Sequence, residues 1–287
     1  MRPGKISLLY AAIAAVLLGL PGVSAADSMT PLQKKLNAAV VILAGQTEDG
    51  GLKMLCTATA FERKGDIYRF ITAAHCVADD DTDHKRVSVA QTNWYVTFDE
   101  AGLKEFHPAK ILYVGYQSRG DDFAILEAEL KREIPVIPLA ERDGEKGETI
   151  DNVAAPLALG KQLFDGHVSL EDLDRPVIKD TINWWHAMLL QVNVGPGSSG
   201  SAVVSRKQEA IIAVLVGNVS FRSSPNVVAI PVSKLRRFLK AVKCGKYEWF
   251  DEDGAGRSTN AAPTVNQLYQ KVLNRFEKPL EIEPLAK

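Results

Sequence analysis

The sequence predicts an all-β fold with a helical C-terminal end, on three observations. Between Ala38 and Ile230 the apolar residues come in short runs separated by turn residues. The runs follow one another at sandwich or barrel spacing, without the helical stretches that alternating strand–helix units would need. A one-sided apolar stripe at helical spacing begins only after Pro231.

In chain order, Thr30 ahead of Pro31 is a helix start, an N-cap before proline at the first helical position, and it opens a short segment to about Leu36. Strands are predicted at 38–44, 52–61, 67–72, 87–90, 94–98, 111–116 and 123–127. Gly50-Gly51, Lys64-Gly65-Asp66 and Arg119-Gly120-Asp121 read as turns between them. A second, less regular set follows at 136–139, 149–154, 188–194, 202–205, 210–216 and 227–230, with 130–135 as the crossover. Two successive β units place a cleft at their junction. Val232, Leu235, Phe238, Leu239 and Val242 form the stripe of a helix over 231–243. Residues 251–263, rich in Gly, Asn, Ser and Asp, read as a linker. Thr264 and Gln267 then make a capping-box pattern, and Val265, Leu268, Tyr269, Val272, Leu273 and Phe276 share one helix face. This tail within 244–287 is expected to dock on its own body; a surface for a protein partner is the alternative.

The first 25 residues read as an export signal. Arg2 and Lys5 precede the apolar run Ile6 to Leu20, Pro21 and Gly22 break it, and Val23-Ser24-Ala25 fits signal peptidase, with cleavage expected after Ala25 or Ala26. A spanning helix needs about 20 apolar residues, more than this run supplies. The protein is therefore expected to be exported, periplasmic or secreted, with no membrane association after cleavage. A net charge of −1 gives no electrostatic reason to propose nucleic acid as a partner. Export places Cys56, Cys76 and Cys244 where disulfides persist, and an odd number leaves one thiol over. No Cys-x-x-Cys pair exists, so no metal site is expected, and no cofactor. The acidic stretch Asp79-Asp80-Asp81-Asp83 lacks the ordered spacing of a calcium loop and reads as a solvated loop.

Three segments carry chemistry. Hydrolysis of an amide needs an activated hydroxyl and N–H donors aimed at the developing oxyanion. Gly197-Ser198-Ser199-Gly200 offers both, because a glycine two residues before a nucleophile lets two N–H groups converge. Ser198 and Ser201 are rivals, but Ser199 has glycines at both −2 and +1. A Gly/Ser surface turn is the ordinary alternative. His75 ends the apolar strand Arg69-Phe70-Ile71-Thr72 behind two alanines, whose small size lets a ring emerge into a cleft. A lone histidine in such a place is more often a core residue. His84, His107, His167 and His186 have no comparable setting, although His186 follows Trp184-Trp185, a composition compatible with a pocket wall. Asp122 opens the strand Phe123-Ala124-Ile125-Leu126; Asp121 beside it is a turn residue with an equal claim by type, but Asp122 adjoins the strand. Jointly, in the order His, Asp, Ser, the three say more than any one of them.

Thr72-Ala73-Ala74-His75-Cys76, Asp122-Phe123-Ala124-Ile125-Leu126 and Gly197-Ser198-Ser199-Gly200-Ser201 resemble the three signature segments of the chymotrypsin/trypsin-like serine endopeptidases. The resemblance covers about residues 36 to 243, and Val228-Ala229-Ile230-Pro231 is similar to the last strand and helix entry of bacterial HtrA-like members. It implies two six-stranded antiparallel β-barrels, at about 36–130 and 134–230, with the site in the groove between them. It implies Ser199 as nucleophile, His75 as general base and then acid, Asp122 as the residue orienting His75, and the N–H groups of Gly197 and Ser199 as the oxyanion hole. It also implies a Cys56–Cys76 disulfide, a protein or peptide substrate, and Cys244 as the free thiol. By family spacing the pocket base is Asn193, with Val216, Gly217 and Asn218 beside it, which points to an uncharged side chain before the scissile bond.

The departures are informative. The position before the nucleophile is Ser198 instead of the aspartate that pairs with a new N-terminus in activated digestive members. No second glycine-rich peptide-binding domain follows, and the strand Ala213 to Asn218 lacks the histidine of glutamyl endopeptidases. A catalytically silent trypsin-like module that binds proteins is the competing reading. An esterase is another, but its usual Gly-x-Ser-x-Gly and its order Ser, Asp, His are missing.

Overall fold

The protein is described here from a computed structural model, over residues 29–242 apart from 47–49, 81–86, 90–92, 99–104, 116–119, 174–177, 180–181, 184–185 and 222–223. The predicted signal peptide, the linker and tail, and Cys244 lie outside the described residues.

A helix α1 (Pro31–Ala39) leads into sixteen strands: β1 (Val40–Gln46), β2 (Leu52–Lys64), β3 (Ile67–Thr72), β4 (Ala78–Asp80), β5 (Val87–Val89), β6 (Trp94–Thr97), β7 (Phe106–Val114), β8 (Ala124–Glu129), β9 (Thr149–Ala154), β10 (Gln162–Leu170), β11 (Ile178–Lys179), β12 (Ile182–Asn183), β13 (Met188–Val192), β14 (Ala202–Ser205), β15 (Ala210–Phe221) and β16 (Ser224–Pro231). Helix α2 (Val232–Val242) closes the described chain. Two closed barrels result, ordered β1-β2-β3-β8-β7-β6 and β10-β13-β16-β15-β14-β9, and every pairing in them is antiparallel. Closure removes the exposed sheet edge that would otherwise template association. This is the all-β, double-barrel architecture with a C-terminal helix that the sequence predicts.

Val41, Leu43, Phe70, Ile71, Ile125 and Leu126 are fully buried on the strands of the first barrel, and their cluster continues into the second barrel through Val204, Ile211 and Val228. Each such side chain contributes about 1.5–3 kcal/mol by leaving water. Ile150, Val168, Met188, Leu190 and Ile212 fill the remainder of the second barrel.

Both helices are tied down by polar groups as well as by their apolar faces. In α1, Leu36 is fully buried, Gln33 donates to Asp151 Oδ1 at 2.9 Å, and Lys161 Nζ donates to the carbonyls of Asn37 and Val40. An ammonium on these last carbonyls satisfies groups with no partner inside the helix. In α2, Val232, Leu235 and Leu239 face the body, and the Ser233 amide donates to Asp143 Oδ1 at 2.8 Å, a carboxylate at the helix start.

Strands β3, β9 and β14 span the residues expected of them. Two differences have physical causes. The apolar stretch 136–139 is not a strand: Leu139 makes an isolated bridge to Ile211, and Ile137 donates to the Ala60 carbonyl. It runs from one barrel to the other with Ile137 fully buried, Val136 and Leu139 half-buried and Pro138 exposed, and Pro138 has no N–H for a ladder. Strand β10 lies outside the predicted strands because most of its residues are exposed or half-buried, so it lacks apolar alternation, and a glycine interrupts it at Gly166. Gly166 marks a close approach, since a Cβ there would sit 2.1 Å from the Gln191 carbonyl oxygen.

Candidate active site

His75 and Asp122 meet because β3 and β8 are neighbours in the first barrel. Thr72 pairs with Ala124, so the chain leaving β3 and the chain entering β8 pass side by side. Beyond Thr72, the fully buried Ala73 and Ala74 lead into a 3-10 turn, Ala74–Cys76, that carries His75. Asp122 is fully buried. Its Oδ1 accepts the His75 backbone N–H at 2.9 Å and its Oδ2 lies 2.8 Å from His75 Nδ1. One carboxylate thus fixes both the position of the histidine and the tautomer of its ring, placing the Nδ1 proton toward Asp122. The ring keeps 26% of its side-chain surface open. Burial of His75 disfavours its charge, but the Asp122 charge and hydrogen bond outweigh this and hold the imidazole above its ordinary range.

The serine loop joins β13 to β14 and is anchored to both barrels. Ser201 N–H donates to the Ser198 carbonyl at 3.1 Å, closing a turn around Ser199. Gly200 N–H donates to the Leu215 carbonyl at 2.7 Å in the second barrel, and Thr57 N–H donates to the Ser199 carbonyl at 3.0 Å from the first. Gly200 admits no side chain: its φ is +85°, and a Cβ would lie 2.1 Å from Thr72 Oγ1 and 2.8 Å from the Ala73 nitrogen. That close approach brings the serine loop to the end of β3, two residues from His75. Of the three serines, Ser198 and Ser201 are fully buried and Ser199 is half-buried. Ser201 Oγ donates to the Ser198 carbonyl at 2.7 Å and accepts from Asn152 Nδ2 at 2.8 Å.

Asn152 escaped the sequence analysis. Its one signal is polarity, an Asp151-Asn152 pair inside an otherwise apolar strand, and both residues are fully buried. Asp151 is structural, held by Arg206 Nη2 at 2.7 Å and Nε at 2.9 Å.

The expected Cys56–Cys76 disulfide is present, joining β2 to the His75 turn. A His75 ring nitrogen lies within 4.8 Å of both sulfurs. Because the sulfurs are bonded to each other, they offer no thiolate to a metal. Among the residues expected to form a substrate pocket, Asn193 is exposed just after β13, Val216 is buried at a bulge of β15, Gly217 is half-buried and Asn218 is exposed. None of the four lines the groove of about 250 Å³ beside the serine loop, whose walls include Met54, Leu55, Cys56, Ala155, Leu157 and Gly197. His107 is buried with Nε2 3.7 Å from Glu105, and His167 is exposed. His186 is exposed and paired with Asp172 at 2.9 Å; His84, Trp184 and Trp185 lie outside the described residues.

Paired antiparallel barrels with a buried carboxylate behind a half-open histidine, and a glycine-bounded serine at their junction, define the double-barrel serine peptidase class. The chain belongs to the trypsin-like peptidase family, whose domain profile matches residues 56–214. Among solved structures it is similar to the serine endoprotease from Yersinia pestis, at 17% identity and a TM-score of 0.52. The match covers 73% of this chain and 64% of that one, so the likeness speaks for the fold. No curated protein matches the sequence significantly. Among the described residues, no helix is long and apolar enough to cross a membrane.

Proposed function

We propose that the protein is an exported serine endopeptidase that cleaves peptide bonds through an acyl-enzyme intermediate. The observation that carries this reading is the pair of hydrogen bonds that buried Asp122 accepts from the His75 backbone N–H and Nδ1, which leaves Nε2, on the opposite edge of the ring, as the base. Ser199 Oγ attacks the scissile carbonyl carbon while His75 Nε2 takes its proton. The carbonyl oxygen becomes an oxyanion held by the N–H groups of Gly197 and Ser199. When the carbon–nitrogen bond breaks, the His75 proton goes to the departing amine and the acyl group stays on Ser199. Water, deprotonated by His75, then releases the acid and restores the serine. Asp122 stabilises the imidazolium in both halves.

An uncharged residue before the scissile bond suits the uncharged Asn193. The Cys56–Cys76 bond supports export to a periplasm or beyond, since disulfides persist in oxidising compartments. N-terminal sequencing of the protein recovered outside the cytoplasm is expected to begin at Ala26 or Asp27.

Labelling with a fluorophosphonate probe tests the chemistry. Wild type is expected to label, with the adduct on Ser199, and Ser199→Ala and His75→Ala are expected to remain blank. An unlabelled wild type with its leader removed would favour the silent binding module instead.

A further inference from the structure

The Gly197 peptide poses a positioning problem. Gly197 has φ +93° and no side chain, so little in its own backbone resists rotation of the peptide planes beside it. An oxyanion donor must nevertheless point one way before charge develops. Two hydrogen bonds fix the peptide planes on either side of Gly197, the first of which carries its N–H. Pro196 C=O accepts from the Leu157 N–H at 2.7 Å. In a trans peptide the carbonyl and the following N–H point oppositely, so the Gly197 N–H faces away from Leu157. On the other side, Gly197 C=O accepts from Thr57 Oγ1 at 2.9 Å, and that hydroxyl in turn accepts from the Ala155 N–H at 3.0 Å. Thr57 is fully buried, and its hydroxyl joins β2, the start of the 155–160 loop and the serine loop.

The surrounding loop is costly to hold. Leu157 and Ala158 have φ of +53° and +55°, a left-handed conformation that side chains disfavour. Leu157 lines one wall of the groove beside Gly197, and its exposed side chain does little to hold the loop. The orientation therefore depends on the hydrogen bonds at Pro196 and Gly197, and of these the Thr57 hydroxyl is the one a side-chain change can remove.

We propose that Thr57 is a positioning residue for the oxyanion hole: by tying the Gly197 carbonyl to the Ala155 amide, its hydroxyl fixes the peptide that follows Gly197 and so locks the Gly197 torsions, keeping the Gly197 N–H in the direction that the Pro196–Leu157 bond gives it. This rests on the serine peptidase reading. Thr57 touches no substrate atom and moves no proton; its effect passes through Gly197.

The test uses the full chain with its leader removed, reacted with a fluorophosphonate probe, whose phosphonyl oxygen occupies the oxyanion position once Ser199 is modified. Thr57→Val keeps the shape and loses the hydroxyl, leaving the Ala155 N–H and the Gly197 C=O unpaired. At a temperature well below its unfolding midpoint, it is expected to lower the maximal labelling rate about 10- to 100-fold, with the half-saturating probe concentration unchanged. Thr57→Ser restores the hydroxyl and is expected to label within about threefold of wild type. A purely structural threonine would lower the midpoint of Thr57→Val and leave the maximal rate of the folded protein alone, and that result overturns the proposal. Should Thr57→Val not fold, a tenfold slower Thr57→Ser overturns it equally. A wild type that does not label, or that labels as well with Ser199→Ala, removes the peptidase reading itself and the role of Thr57 with it.

Discussion

Replacing Cys56 and Cys76 together by alanine, with Cys244→Ser to prevent new pairings, is expected to destabilise the protein by about 3 kcal/mol. The bond closes a loop of sequence separation 20. For a loop of that size the loop-closure entropy returned to the unfolded chain is about 11 cal/mol/K, or about 3.3 kcal/mol at 25 °C. Both side chains are nearly buried, at 7% and 6% exposure, so their lost packing adds to the figure and does not offset it. A domain of this size loses about 2–4 °C of melting temperature per kcal/mol, which gives a fall of about 6–13 °C. Thermal and urea unfolding, compared with the Cys244→Ser parent, measure it. The bond also anchors the turn that presents His75, so labelling of Ser199 is expected to slow even where the variant remains folded. Unfolding midpoints within about 2 °C of the parent, the least that 1 kcal/mol shifts, would refute the reasoning.

Further outcomes follow from the geometry at three places, Gly200, the His75–Asp122 pair and Arg206. Gly200→Ala forces a left-handed alanine, costing about 1–2 kcal/mol, and overlap with Thr72 and the Ala73 backbone costs about 1–3 kcal/mol more. Its urea midpoint is expected to fall accordingly, and its labelling to be lost. The rate of probe reaction in wild type is expected to rise with pH as His75 deprotonates, through a midpoint above the ordinary imidazole value of about 6.5. Asp122→Asn removes the cause, so it is expected to move that limb to lower pH and to cut the rate about 10⁴-fold. The same raised affinity for a proton stabilises the folded state most below pH of about 6.5, and this contribution is lost as pH rises through the folded-state value. Finally, Arg206→Met leaves the buried Asp151 carboxylate with fewer donors, and a loss of about 2 kcal/mol is expected in urea unfolding.

The sequence was most legible where burial imposes a pattern. Strands β3, β9 and β14 announce themselves as compact apolar runs between turns, and the His75 and Asp122 segments stand out because small or apolar residues must pack around each. It was least legible where exposure or long-range contact decides. The exposed β10 shows no alternation, and Gly166 within it answers to the Gln191 carbonyl of another strand. The run 136–139 has the composition of a strand because Ile137 is buried and Val136 and Leu139 are half-buried, yet it forms only an isolated bridge from Leu139 to Ile211. Thr57 sat unremarked beside Cys56, since its partners at Gly197 and Ala155 lie 140 and 98 residues away and no local spacing links them. Asn152 is a similar case, legible as a buried polar residue only once β9 is known to be covered on both sides. Side chains that do chemistry at strand ends leave a local trace, while those that hold a loop from beneath do not.

The central claim is that His75, Asp122 and Ser199 act together to cut peptide bonds. Digestion of a mixed peptide library by the full chain with its leader removed, beside the same preparation of Ser199→Ala, tests it most directly. Wild type is expected to cleave internal bonds with new amino termini detectable by mass spectrometry, favouring uncharged residues before the cut, and Ser199→Ala to cleave none. Equal cleavage by both proteins, or an intact library after incubation with wild type, would contradict the account.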